Sequence, residues 1–354
     1  MGHTVLVINP GSTSTKIAVW SLEGPMLQKT VPHAAEELAR YPNVADQFHL
    51  RLEAVQEAVQ EWLDPERLAA VVGRGGPLRP LEGGTYLINK QMLDDLRSGT
   101  YSNHASNLGA ILAHHLARQM KIPCFVVDPV TVDEFTPLAR ISGLPEIQRK
   151  CRSHALNIKA VAREAAAVLG RPLEQTWFVV AHLGGGLSIC ALQGGKITDV
   201  NDGLLGMGPF SPERAGALPI GALVELCFSG KYTKEELLRK LSTGAGLRAY
   251  LGTSDGIEIE QRITAGDEEA KLYYDAMLYQ IAKEIGAMAA VLKGKLDGII
   301  LTGGMANSTY LVEAIKSYIS FLGRVFLFAG EKEMEALALG AFRVLEGKEE
   351  AKTY

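Results

Sequence analysis

Three consecutive glycines, Gly184, Gly185 and Gly186, interrupt two apolar runs, and this break restricts the fold more than any other feature of the sequence. Glycine loses more conformational freedom on folding than any other residue, so three together are unfavourable unless the backbone must turn unusually or touch a ligand. Residues 177–181 are apolar and branched enough for a buried strand, and residues 187–192 read as the returning strand. Gly194 and Gly195 then turn the chain into a third strand over 196–200. The N-terminus has the same order: a buried strand over 5–8, a polar turn from Asn9 to Thr15, and a strand over 16–20. His182 follows Asn9 by 173 positions in a chain of 354, the spacing an internal duplication would leave.

Other segments alternate with these strands. Residues 51–63 place Leu52, Val55, Val59 and Leu63 at helical spacing, and 106–120, 154–169, 267–292 and 332–346 repeat the pattern. A late strand over 296–302 runs into Gly303-Gly304, with a helix from Asn307 onward. The expectation is an α/β protein of two domains around a central cleft: 1–152, with a C-terminal helix over about 336–354 returning to it, and 153–335, joined by a hinge near 150–155. A net charge of −4 speaks against nucleic acid or an anionic membrane as partner. Cys124, Cys151, Cys190 and Cys227 never form a C-x-x-C pair, so they read as small buried hydrophobes rather than zinc ligands or disulfides. The start MGHTVLVINPGS reads as a strand, not a signal peptide, and no apolar run approaches the roughly 20 residues of a membrane helix, so a cytoplasmic location is expected.

The loops carry the chemistry. In the first turn Gly11 allows close approach, Ser12, Thr13, Ser14 and Thr15 offer hydroxyls, and Lys16 adds charge. Such a loop can cradle phosphate oxygens, or it can be an ordinary hairpin turn. It is not the phosphate loop that opens a helix, because a strand follows. His182 leads into Gly184, Gly185 and Gly186, where an imidazole can hydrogen-bond a phosphoryl group. Arg214 lies in a loop barred from regular structure by Gly203, Gly206, Gly208, Pro209 and Pro212. An arginine there can neutralise a phosphoryl transition state or form a surface ion pair. Gly303 and Gly304 suit an adenosine moiety. Asp128 ends the strand 124–127, where ligands gather in α/β sheets, and one of Glu331, Glu333 and Glu335 could hold Mg²⁺ through water. His114-His115 reads as a helix surface rather than a metal site.

With these residues in place, nearly the whole chain resembles the acetate and butyrate kinase family, within the actin, sugar-kinase and heat-shock ATPase superfamily. VLVINPGSTSTKIA (5–18), AHLGGGLSICALQGGKITDVNDGLLGMGPFSPERAG (181–216) and LTGGMANS (301–308) are similar to its signatures. GAGLRAYLGTSD (244–255), YQIAKEIGA (279–287) and EMEALALGA (333–341) resemble the butyrate-specific members. The resemblance implies two duplicated ribonuclease H-like (actin-like ATPase) domains, with ATP/ADP and Mg²⁺ as cofactors. It implies that Asn9, Ser12, Thr13, Ser14 and Lys16 serve the phosphate and metal end, and that Gly184, Gly185, Gly186, Gly303, Gly304 and Asn307 bind nucleotide. It gives His182 and Arg214 to the transferring phosphoryl group, His104 to the acyl site, and Asn9, Asp128 and Glu335 (Glu333 second) to magnesium. Arg74, with Arg79 second, is the catalytic and substrate-binding arginine of the segment VVGRGGPLRP, and His154 matches the second histidine of a segment whose first histidine is missing.

The implied reaction is reversible, direct transfer from ATP to a short-chain fatty acid, butyrate first, with isobutyrate, valerate, propionate or acetate as alternatives. A carboxylate with a pKa of about 4 is already ionised and needs no base. A sugar kinase would need one, and Asp128 is the candidate; a nucleotide-dependent binding or chaperone module is the non-enzymatic alternative. The partners are the carboxylic acid and ATP, with a homo-oligomer of two or more chains expected.

Overall fold

The computed structural model describes residues 3–62 and 64–354. Its strands are β1 (Thr4–Pro10), β2 (Ser14–Ser21), β3 (Gly24–Pro32), β4 (Leu68–Gly73), β5 (Thr85–Leu87), β6 (Cys124–Val127), β7 (Trp177–Leu183), β8 (Leu187–Gln193), β9 (Lys196–Val200), β10 (Gly298–Gly303), β11 (Val325–Ala329) and β12 (Lys352–Thr353). Its helices are α1 (Ala35–Leu38), α2 (Phe48–Val59), α3 (Lys90–Ser98), α4 (Asn107–Met120), α5 (Pro137–Arg140), α6 (Ala155–Val168), α7 (Ile220–Phe228), α8 (Lys234–Thr243), α9 (Gly246–Leu251), α10 (Gly256–Thr264), α11 (Glu268–Val291), α12 (Thr309–Ile319) and α13 (Glu333–Leu345).

Two compact units emerge: the chain up to Asp133 together with Lys332–Tyr354, and Glu134–Glu331. Residues 134–152, which the sequence reading assigns to the first domain, therefore belong to the second unit. The first unit holds a sheet of order β12-β5-β6-β4-β1-β2-β3, the second one of order β11-β10-β7-β8-β9. Both contain the same kernel. An antiparallel meander (β1-β2-β3, β7-β8-β9) carries two parallel strands beyond its first strand (β4 and β6, β10 and β11). That shared order is the internal duplication in structural form.

Strand β1 is buried at every position and β7 at all but its first, because each lies inside its sheet with both faces covered. Such strands need continuous branched apolar runs rather than alternation. Helices α2, α3 and α4 close the first core through Leu52, Val55, Met92 and Leu112, and α11 and α12 close the second through Met277, Ile281, Leu311 and Ile315. The helix starts carry side-chain caps that fix their bounds: Asn89 accepts from Met92 N–H, Asp267 from Ala270 N–H and Ser308 from Leu311 N–H.

Four expectations need adjustment. The helix expected over 51–63 begins earlier, at Phe48, and Leu63 lies outside the described residues. The helix expected from Asn307 starts at Thr309, because residues 304–307 form a 3₁₀ turn and Ser308 is the cap. The C-terminal helix stops at Leu345, and the tail returns as β12 beside β5. Cys227 is exposed on α7, a helix that buries none of its residues, whereas Cys124, Cys151 and Cys190 are buried; all four are free. Among the described residues no helix is long and apolar enough to cross a membrane.

Candidate functional site

In the first unit the parallel strands β1, β4 and β6 run in register, with Ile8 beside Gly73 and Gly73 beside Val126. Their C-terminal ends therefore deliver Asn9, Arg74 and Asp128 to one edge of the sheet, where open α/β sheets bind ligands. Glu333, the first residue of α13, joins two of them. Its Oε2 accepts from Asn9 Nδ2 at 2.9 Å, and its Oε1 lies 3.3 Å from Arg74 Nη2. Arg74 is 6% exposed, and its Nη1 is buried without an acceptor. An unsatisfied buried guanidinium donor is costly, so the position suits a ligand oxygen. Of the two glutamates considered, the second choice is the one at this site: Glu335 faces Lys332 at 3.9 Å instead. Arg79 is likewise elsewhere, its guanidinium stacked 4.3 Å from the Tyr354 ring centroid.

Lys16 stands opposite Asn9 across the β1–β2 hairpin, so the two side chains share a face. Ser12 and Thr13 are exposed at the tip, which Gly11 N–H closes on the Ser14 carbonyl at 2.8 Å. Behind the tip lies a residue the sequence reading placed only in a helix. Arg51 is fully buried and donates to the Ser14 carbonyl, Thr15 Oγ1 and Gln47 Oε1 at 3.0–3.1 Å. Burial lowers its pKa below the usual arginine value. Asp128 is fully buried with φ of 38°, and its Oδ1 accepts from Gly84 N–H at 2.7 Å. A non-glycine residue held at positive φ is a strained position that the surroundings must enforce. His104 shares its Nδ1 with Ser106 Oγ at 2.7 Å, and burial, then the Arg74 charge, lower its pKa from 6.5. The α4 N-terminal turn reaches Arg74 closely because both sides are glycine there: a Cβ on Gly73 would overlap the Gly109 backbone, and one on Gly109 the Arg74 backbone.

In the second unit His182 is 2% exposed at the end of β7. Asn157 of α6 donates from Nδ2 to His182 Nδ1 at 3.0 Å and to Thr302 Oγ1 at 3.1 Å. Thr302 directs its own proton to the Gly330 carbonyl, which fixes the amide's orientation and leaves the imidazole proton on Nε2. That nitrogen is the ring atom nearest Gly184. His154 stacks on His182 with ring centroids 3.9 Å apart and hydrogen-bonds Ser188 Oγ at 2.9 Å. Arg214 lies so close to Gly186 that any Cβ there would overlap its guanidinium, and it donates from Nη1 to the Gly203 carbonyl. Ser211 Oγ donates to the Gly185 carbonyl at 2.7 Å, tying the arginine loop to the glycine turn. Burial lowers the Arg214 pKa below the usual arginine value, Glu213 and Asp202 oppose this, and its Nε is buried without an acceptor.

Gly303, with φ of 92°, lets β10 end against the Leu183 carbonyl, one residue from His182. Asn307 bonds back to the Gly304 carbonyl at 2.9 Å. Each unit thus gathers its own set: Asn9, Lys16, Arg74 and Glu333 in the first; His182, the glycine turn, Arg214 and Gly303 in the second. Among the described residues no three His, Cys, Asp or Glu side chains form a metal-binding group.

Comparison with known proteins bears on the fold. Acetate kinase of Porphyromonas gingivalis is 21% identical, with a TM-score of 0.79 over 97% of this chain and 100% of that one. A propionate kinase from Francisella tularensis is 20% identical, with a TM-score of 0.74 over 96% of this chain and 98% of its own. Acetate kinase from Entamoeba histolytica is 18% identical, again at 0.74 over 96% and 98%. These likenesses establish the duplicated actin-like ATPase fold. A family model described as the acetokinase family matches residues 146–336, more than half of the chain. The chain belongs to the acetokinase family of carboxylate kinases.

Proposed function

We propose that this protein transfers the γ-phosphoryl group of ATP directly to butyrate, giving butyryl phosphate and ADP, and that the reaction is reversible. A carboxylate oxygen attacks the γ-phosphorus, and the bond to the β,γ-bridging oxygen breaks, leaving its electron pair on ADP. No proton has to move, so the site's task is to bring two anions together and stabilise charge on the equatorial oxygens. The residues present suit that task. His182 offers Nε2–H beside the glycine turn, Arg214 offers a guanidinium held against Gly186, and Lys16 adds a cation beside Asn9.

The observation that carries the reading is Arg74, whose buried Nη1 has no acceptor while its Nη2 is held by Glu333. One donor is anchored and the other is open for a carboxylate, the geometry of a substrate clamp. Asp128, buried and bonded to the Gly84 amide, suits orientation rather than removal of a hydroxyl proton. The oxygen of Asn9, whose Nδ2 is spent on Glu333, together with Asp128 and Glu333 supplies hard donors that fit Mg²⁺, an ion usually bound by one or two carboxylates plus waters and phosphate oxygens. When bound, the ion would neutralise phosphate charge. Gly184, Gly185 and Gly186 would bring backbone N–H groups to the phosphates, and Gly303, Gly304 and Asn307 would border the adenosine. Butyrate as the acid rests on the segments 244–255, 279–287 and 333–341.

The test is a hydroxamate assay with ATP, Mg²⁺ and straight-chain acids of two to six carbons. The expected result is butyryl hydroxamate with the highest kcat/KM, and neighbours one methylene away lower by about 10-fold or more. Failure to form hydroxamate from any acid would overturn the kinase reading, and preference for two carbons would overturn butyrate.

A further inference from the structure

The first unit carries a second cationic cavity, of about 450 Å³, that takes no part in the site above. It lies where the 3₁₀ turn over residues 44–47 and the start of α2 meet α3 and α4. On α4, Ile111, His114, His115 and Arg118 occupy positions i, i+3, i+4 and i+7, so they share a face. Arg97, from the last turn of α3, faces the same space. Neither Arg97 nor Arg118 closes an ion pair among the described residues, although Asp46 lies on the same wall. Exposed arginines commonly find a carboxylate; here two face a single concavity with Asp46 as the one acidic side chain lining it, which leaves the wall net positive. The charge is felt locally: burial, then Arg97, Arg118 and His115, lower the His114 pKa from 6.5. One side of the cavity is not charged. Phe48 packs edge-on against His115 with centroids 5.2 Å apart, and Ile111 lies alongside.

We propose that this cavity binds a small dianion, and that its occupant is a phosphate monoester. The two guanidiniums supply the positive charge, with Asp46 as the only opposing carboxylate on the wall, and the two imidazoles add N–H donors for phosphate oxygens. The volume falls in the range of ordinary ligand pockets and exceeds what a bare phosphate fills, and the Phe48–Ile111 side suits an organic body. The wall is also connected. Val44 N–H donates to Asn103 Oδ1 at 2.9 Å, beside His104, and Gln47 at the other end of the turn holds Arg51, which clamps the β1–β2 tip. A bound dianion would therefore stiffen a segment that supports the first unit's site from two sides.

The test follows the imidazole carbon-bound proton resonances of His114 and His115 by NMR, assigned with His114→Gln and His115→Gln, during titration with phenyl phosphate and, separately, inorganic phosphate. The active site also takes phosphate, so only these two histidines are read. The expected result is saturable shifts of both histidines, tighter with phenyl phosphate, and affinity at least tenfold weaker in the Arg97→Gln/Arg118→Gln double variant, whose KM for ATP is unchanged. Equal affinity for the two probes would keep the anion site and make free phosphate its occupant. Resonances unmoved by either probe, or moved equally in the double variant, would overturn the proposal.

Discussion

Replacing Asn157 by leucine removes the hydrogen bond that sets the proton position on His182 while keeping side-chain volume. Asn157, His182 and Thr302 are 1%, 2% and 0% exposed, so water cannot substitute for the lost amide. Leaving buried polar partners without their donor should destabilise the second unit by about 1–3 kcal/mol. For a unit of this size each kcal/mol lowers Tm by roughly 2–4 °C. The kinetic effect should be larger. A single preorganised donor to a developing oxyanion contributes about 10²–10³ in kcat, and without Asn157 the ring can place its proton on Nδ1 or rotate. We expect kcat to fall about 10–100-fold with KM for ATP nearly unchanged, the pattern of an interaction made in the transition state. Thr302→Val is the comparison: it deletes one acceptor of Asn157 and loosens the amide's orientation but keeps the Nδ2 donor that faces His182, so kcat should fall less than in Asn157→Leu. Steady-state hydroxamate kinetics and a thermal melt on each variant decide the matter. A folded Asn157→Leu protein with wild-type kcat, or one no slower than Thr302→Val, would refute the assigned tautomer and role.

Glu333→Gln should leave Arg74 buried without its counter-charge, costing about 3 kcal/mol by chemical denaturation, whereas Glu335→Gln should change stability by less than about 0.5 kcal/mol. Gly109→Ala drives a methyl group into the Arg74 backbone and should destabilise by about 1–3 kcal/mol, while Gly186→Ala meets only the far end of Arg214 and should lower kcat with little change in Tm. His33 and His104 have pKa values below the usual 6.5, each from burial first, and then from Arg51 and Arg74 respectively. The unfolded chain therefore takes up these protons first as pH falls. The stability they carry is present above pH 6.5 and is lost between 6.5 and their lower folded values, so the urea midpoint should drop across that window and drop less in His104→Gln. An unchanged midpoint would contradict this.

The parts of the fold that could be read in advance are those whose signal is local. Strands β1 and β7 announce themselves because burial on both faces demands unbroken branched residues. Gly194, Gly195 and Gly303 do take the positive φ that glycine allows, whereas Gly184, Gly185 and Gly186 do not, and of these three only Gly186 is required by a close approach, that of Arg214. The strand-end residues Asn9, Arg74, Asp128 and His182 are adjacent in sequence to signals of this kind. What stayed hidden depends on distant partners. Arg51 opens the amphipathic pattern over 51–63, yet its acceptors Ser14 and Thr15 lie 37 and 36 positions away. Asn157 is one of four polar residues in an alanine-rich helix, and its partners are 25 and 145 positions on. Two residues along a helix turn a side chain to nearly the opposite face, so the choice between Glu333 and Glu335 depends on where α13 begins, and alternating glutamates give no cue. Residues 134–152 have no regular element but α5 to mark their allegiance, which is set by contacts such as Arg149 with Asp199.

Direct transfer is the claim on which the roles of His182, Arg214 and Arg74 depend, and its stereochemistry can be measured. ATP made chiral at the γ-phosphorus with ¹⁶O, ¹⁷O and ¹⁸O, reacted with butyrate and analysed as the acyl phosphate product, should show inversion of configuration, the mark of one in-line displacement. Retention would require two displacements through a phosphorylated residue and would contradict the account.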